Sequence, residues 1–227
     1  MPLQRRVYLM RHADVSYVDA QGRPVHPDAV ALTTEGQAQA RAVAGALGSV
    51  PLDRIVCSGL PRTLETAALV AGDRALPIEV REPLREIRSG PIADLAPEGF
   101  EDAFVGALHR PQQPQDRFLG GETWGSLQQR VRPCLGELLA EPGWRHLLIV
   151  AHGGVNRVIL LDALGGDLRD LGRLEQDPAA LNILDLDAQG RVLVRLMNHT
   201  PYDETKGALI ETTMEKLFRE IRSLEPS

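Results

Sequence analysis

The sequence predicts an α/β fold: a three-layer sandwich with a mostly parallel central sheet, helices on both faces, and an antiparallel edge strand. Three observations predict it. Apolar runs of strand length alternate with stretches of helical period from about residue 6 to residue 164, the order that builds parallel sheets. Two later strand-like runs, 181–186 and 191–197, flank Asp187-Ala188-Gln189-Gly190 and read as a hairpin that adds the antiparallel strand. An apolar fraction of 43% in 227 residues is enough to build one sizeable core.

The elements follow in order. Arg6-Val7-Tyr8-Leu9-Met10 is a short apolar run bounded by charge, the mark of a buried strand. A helix starts near Thr33-Thr34, with Thr34 and Gln37 at capping-box spacing. It runs through Ala40, Val43, Ala44 and Leu47, and Gly48 stops it. Asp53 to Cys57 is the second strand. Pro61 suits the first turn of a helix that runs to about Ala71 and closes on Gly72. Pro77 to Val80 is a brief third strand.

Between about 88 and 121 the pattern breaks at Pro91, Pro97, Pro111 and Pro114, leaving loops around one short helix, Glu98 to Leu108. An irregular insertion of this length reads as a lid on a single domain spanning 1–227. Regularity returns at Glu122, where Trp124, Leu127, Val131, Leu135, Leu138 and Leu139 form one apolar helix face ended by Pro142-Gly143. His146 to Ala151 is the strongest strand signal. A helix from about Val155 to Leu164 follows it, and a last helix covers Thr213 to Ile221.

Charge and composition exclude several classes. The net charge is −6 and the pI about 5.5, which argues against nucleic acid or an anionic membrane as partner. No apolar run approaches the roughly 18–20 residues of a membrane helix. The N-terminus has too few apolar residues for a signal peptide, so a cytoplasmic location is expected. The cysteines, Cys57 and Cys134, stand in no metal-binding spacing and are expected to be reduced, with Cys57 a small buried hydrophobe.

In parallel sheets ligands sit beyond the carboxyl ends of the strands. The first strand is followed by Arg11-His12-Ala13-Asp14, the second by Ser58-Gly59-Leu60-Pro61-Arg62, the third by Leu84-Arg85-Glu86 and the fourth by His152-Gly153-Gly154. Two arginines, two histidines and a glutamate therefore converge on one sheet edge. That set suits phosphoryl transfer. Arg11 and Arg62 offer planar forks for phosphate oxygens. His152 stands at a helix N-terminus, a site that favours an anion. His12, its pKa lowered by nearby positive charge, is the candidate nucleophile. Glu86 would protonate the leaving alcohol, then activate the water that releases phosphate.

These residues resemble the histidine phosphatase superfamily, also called the phosphoglycerate mutase-like fold. The matching signatures are Arg11-His12, Ser58-x-x-x-Arg62-x-x-x-Thr66-Ala67, Leu84-x-Glu86 with Gly90 beyond it, Gly121-Glu122-Thr123, and Val150-Ala151-His152-Gly153-Gly154. Leu32-Thr33-x-x-Gly36-x-x-Gln39-Ala40 resembles the family's first-helix entry. The resemblance implies that His12 is phosphorylated, that Arg11, Arg62 and His152 form the phosphate pocket, that Glu86 is the proton donor, and that neither metal nor other cofactor is needed. Two departures stand out. Ala13 occupies a position where the family commonly has glycine. Asp14-Val15-Ser16-Tyr17 replaces the continuation of the mutase branch, which favours a phosphatase.

The expected activity is therefore hydrolysis of a small phosphorylated metabolite. The alternatives are a phosphoglycerate mutase-type isomerase and a catalytically weak domain that binds a phosphorylated ligand. Asp14 and Tyr17 are candidates for the pocket mouth, and Arg85 and Arg88 for recognition of a second anionic group on the substrate. A homodimer is the default expectation for an enzyme of this kind.

Overall fold

The computed structural model describes the whole chain except residues 1–4, 20, 22, 24, 91–104, 107, 109, 209–210 and 223–227. Its centre is a six-stranded sheet. The strands are β1 (Arg5–Arg11), β2 (Arg54–Cys57), β3 (Ile78–Val80), β4 (His146–Ala151), β5 (Leu181–Leu186) and β6 (Val192–His199), in the order β3-β2-β4-β1-β5-β6. The pairs β2·β3, β2·β4 and β1·β4 are parallel, while β5 runs antiparallel to both β1 and β6. The antiparallel strand therefore lies inside the sheet and its hairpin partner forms the edge. The hairpin docks through its first arm, whose LNILDL sequence is buried at five of six positions.

Burial follows the strand period of two. Val7 and Leu9 of β1 pack on one face with Trp124, Leu127 and Val131 of helix α3 (Trp124–Ala140) and Val158 of α4 (Gly153–Leu164). Tyr8 and Met10 pack on the other with Val43 of α1 (Thr34–Ala46) and Val70 of α2 (Pro61–Ala71). A strand covered on both faces must be apolar where it is covered, as β1 is over residues 7–10 and β4 over 147–151. Cys57 and Cys134 are both buried free thiols, and burial raises the pKa of each. That environment does not favour a reactive thiolate.

Helix ends correct two details of the sequence reading. The N-cap of α1 is Thr33, whose Oγ1 accepts from Gly36 N at 2.9 Å, so Thr34 and Gln37 do not form the capping box. Helix α4 starts at Gly153, earlier than the expected Val155, because β4 runs straight into it through His152 at the N-cap. Helix α2 begins at Pro61 and stops at Gly72, whose φ of 55° suits glycine. Helix α5 (Thr213–Arg222) closes the described chain. Most of the short helix expected over 98–108 lies outside the described residues, and 105, 106 and 108 lie in turns. Among the described residues, no helix is long and apolar enough to cross a membrane.

Candidate active site

His12 follows the last residue of β1 and is buried. Its backbone is pinned on both sides: its N–H donates to Ala151 O of β4, and its carbonyl accepts from Ala179 N in the turn before β5. The ring Nδ1 lies 2.8 Å from Ala13 O. A carbonyl can only accept, so Nδ1 carries the proton and Nε2 keeps its lone pair. Burial, then the charges of Arg62 and Arg11, hold the imidazole pKa well below its ordinary value. The ring is therefore a neutral base with one fixed tautomer at neutral pH.

Three buried nitrogens around it, Arg11 Nε, Arg62 Nε and His152 Nδ1, have no hydrogen-bond partner among the described residues. One Nη of each arginine and the other ring nitrogen of His152 are held. Arg11 Nη1 donates to Gln176 O at 2.5 Å and to Thr213 Oγ1 at 2.6 Å. Arg62 Nη1 donates to Pro27 O at 2.6 Å, in a short turn that His26 caps by accepting from Asp28 N. The His152 ring meets that of His12 edge-on, with centroids 5.2 Å apart. His152 Nε2 lies 2.7 Å from Ser58 Oγ, which is 3.0 Å from Thr63 Oγ1. Thr63 gives its only hydroxyl proton to Leu60 O, so Ser58 donates to Thr63 and accepts from His152 Nε2. Burial first, then Arg62, hold the His152 pKa well below normal, so the ring is neutral and its Nδ1 is bare.

Glu86 approaches from the loop after β3. Its carboxylate accepts from Ile87 N at 2.9 Å and from Gly154 N, at the start of α4, at 3.0 Å. Glycine leaves room for this contact: a Cβ on Gly154 would stand 2.6 Å from Glu86 Oε1 and the carboxylate would have to shift. A Cβ on neighbouring Gly153 would lie 3.7 Å from Arg11 Nε and 3.8 Å from Glu86 Oε2, so the arginine and the acid flank one small space. Arg157 Nη1 would stand 3.0 Å from the same point, which adds a third, fully buried guanidinium.

Sequence reasoning missed the support for this loop. Arg130 of α3 donates to the carbonyls of Pro83, Arg85 and Glu86 at 2.6, 2.6 and 3.0 Å. The same guanidinium binds Glu122 at 2.9 and 3.0 Å. Burial alone would raise the Glu122 pKa, but Arg130 and the Arg88 N–H bring it below normal. The Gly121-Glu122-Thr123 motif thus ties the Glu86 loop to α3, whose N-cap is Thr123.

The site opens into a cavity of about 500 Å³ lined by Arg11, His12, Asp14 and Tyr17 on one side and by α5 on the other. Asp14 is buried, with its N–H on Gln39 Oε1 and one carboxylate oxygen on Thr33 Oγ1. Its other oxygen lies 2.5 Å from Lys216 Nζ of α5. Nothing in the sequence marked Thr213 or Lys216 as neighbours of residues about two hundred positions earlier. Arg85 and Arg88 are not among the residues lining this cavity: Arg85 pairs with Glu82 at 3.1 Å, and Arg88 lies 3.7 Å from Glu122. Among the described residues no group of histidine, cysteine and carboxylate side chains could hold a metal ion.

Residues 7–199 match the sequence model of the histidine phosphatase superfamily (branch 1). The chain belongs to this superfamily. Phosphoserine phosphatase 1 of Hydrogenobacter thermophilus is 26% identical over 197 residues, covering 84% of this chain and 91% of that one. A probable phosphoglycerate mutase of Erwinia tasmaniensis is 28% identical over 167 residues, or 70% and 75% of the two chains. Among solved structures, a mycobacterial glucosyl-3-phosphoglycerate phosphatase in complex with inorganic phosphate superposes with a TM-score of 0.70. It is 26% identical, and the match covers 87% of this chain and 98% of that one. Superfamily and phosphatase relatives together support a phosphoric monoester hydrolase.

Proposed function

We propose that the chain hydrolyses small phosphate monoesters through a phosphohistidine formed on His12. One observation carries the reading. A neutral imidazole with a free Nε2 stands beside the buried nitrogens Arg11 Nε, Arg62 Nε and His152 Nδ1, which have no hydrogen-bond partner among the described residues. The two Nε–H groups are buried donors without partners, which is costly, and an anion with several oxygens would satisfy them. The solved relative that holds inorganic phosphate supports the same reading.

In the first step His12 Nε2 forms a bond to phosphorus as the bond to the ester oxygen breaks. Glu86 delivers a proton to the departing alkoxide. Arg11 and Arg62 balance the charge on the transferring group, the stabilisation that usually dominates such reactions. In the second step Glu86 takes a proton from water, the hydroxide oxygen bonds to phosphorus, and Nε2 leaves. The products are alcohol and inorganic phosphate. His152 receives a phosphate oxygen at Nδ1, and for that it takes up a proton.

The mutase among the relatives favours one second reading, in which the phosphoryl group returns to another hydroxyl of the substrate instead of passing to water. Phosphate release from a panel of monoesters in excess EDTA, with wild type beside His12→Ala, tests the proposal. Release that survives EDTA and vanishes in the variant is expected. Full activity in His12→Ala would overturn it. Conversion of 3-phosphoglycerate to 2-phosphoglycerate without phosphate release would favour the second reading.

A further inference from the structure

The phosphate pocket chooses only one end of a substrate. We propose that helix α5 selects the other end, and that the cavity beneath it takes phosphate esters bearing hydroxyl or ammonium donors and no second anion. The inference rests on the hydrolase reading above and adds the class of substrate.

Helix α5 lies beyond residues 7–199, the part of the chain that matches the superfamily. It is nevertheless built into the site. Thr213 accepts from Arg11, and Lys216 pairs with Asp14, two residues after the proposed nucleophile. The cavity it roofs is continuous with His12 and Arg11, and its volume falls within the roughly 300–1,000 Å³ range of small-molecule sites. Arg11, with its buried and unpartnered Nε, forms part of the wall, so the cavity leads directly to the phosphate position.

Charge decides what else fits. Beyond Arg11, the cavity has five carboxylates, from Asp14, Glu35, Asp177, Glu211 and Glu220, against two cations, Lys216 and Arg219. Both cations are already engaged, Lys216 with Asp14 at 2.5 Å and Arg219 with Glu211 at 2.7 Å, and Asp177 is engaged in turn with Lys206 at 2.8 Å. A substrate carboxylate would have to take Lys216 from a buried aspartate, and would then share the cavity with Glu35 and Glu220. Like charges brought together this way are strongly disfavoured. Hydroxyl and ammonium groups meet acceptors instead.

Two matched pairs of esters isolate that single feature. O-phosphoethanolamine differs from O-phosphoserine by a carboxylate, and glycerol 3-phosphate differs from 3-phosphoglycerate in having a hydroxymethyl group in place of one. The member without the carboxylate is expected to show a kcat/KM higher by about tenfold or more in each pair. In the Glu35→Gln, Glu220→Gln double variant the gap within each pair narrows because the anionic members improve. Equal rates within the pairs, or faster turnover of the carboxylate-bearing members, would overturn the selectivity while leaving the hydrolase reading intact. If p-nitrophenyl phosphate is not hydrolysed either, it is the hydrolase reading that fails. Calorimetric binding of the same four esters to the wild-type chain then decides the selectivity, and tighter binding of the carboxylates would end it.

Discussion

The imidazole of His12 is held by the carbonyl oxygen of Ala13, the residue that follows it, at 2.8 Å. That short-range bond sets the tautomer and leaves Nε2 with its lone pair free. Ala13 is fully buried, has no positive φ, and its N–H donates to Thr66 Oγ1 at 3.1 Å. The methyl group therefore sits in the core without disturbing the carbonyl that matters. Ala13→Gly is expected to keep kcat within a few-fold and to lower stability by about 1 kcal/mol, from added chain freedom and a small void. Urea unfolding beside steady-state kinetics checks both halves. A large fall in kcat at unchanged stability would show that the methyl group itself positions the ring.

Glu86 is expected to matter in proportion to how poor the leaving group is. Glu86→Gln should slow an alkyl phosphate by about 10²–10⁴-fold, the usual worth of general acid catalysis. An ester of p-nitrophenol, whose leaving group needs little help, should lose far less. Gly154→Ala should copy the pattern in milder form, because its Cβ would stand 2.6 Å from Glu86 Oε1. Equal losses on both esters would remove the carboxyl from the acid role.

The bare Nδ1 of His152 implies proton uptake when phosphate dianion binds. Affinity for phosphate should therefore weaken as pH rises above neutrality. Titration calorimetry in two buffers of different ionisation enthalpy reads the proton directly, and a count near zero at pH 7.5 would contradict the assignment. Ser58→Ala leaves His152 Nε2 without its partner, a loss worth about 1–3 kcal/mol. Its expected signature is a raised KM with kcat little changed.

Folding stability should fall in mild acid. His12 and His152 both have pKa values held well below normal in the folded chain, and unfolding returns them to about 6.5. Below that value the unfolded state binds more protons than the folded one, so stability is full above pH 6.5 and declines as pH drops through the window beneath it. Thermal melts at pH 7.5 and 5.5 should show the decline, with a smaller difference in His12→Asn. An equal drop in that variant would assign the effect to other groups.

Much of the site was legible because its residues stand at the ends of apolar runs. A strand buried on both faces announces itself, as β1 and β4 do, and the next residue is then at the carboxyl edge. His12 and His152 each stand one residue past such a strand, Arg11 ends β1, and Glu86 lies in the loop after β3. The Thr33 cap was misplaced by one position because two adjacent threonines present the same chemistry, and only the backbone turn distinguishes them. Arg130 was invisible, since one arginine on a helix face looks like any other until three carbonyls of the Glu86 loop surround it.

By itself the sequence determined the fold class, the order of strands and helices along the chain, and the residues at the strand ends. These follow from local periodicity, from caps and from turn residues, which act over a few positions. Only the tertiary structure decided that β5 lies inside the sheet, that Arg130 and Glu122 tie down the Glu86 loop, and that α5 covers the pocket. Such contacts join segments up to 202 residues apart, as Lys216 and Asp14 are. They arise from the packing of finished elements against one another, and no repeating pattern in the chain records which side chains will then meet.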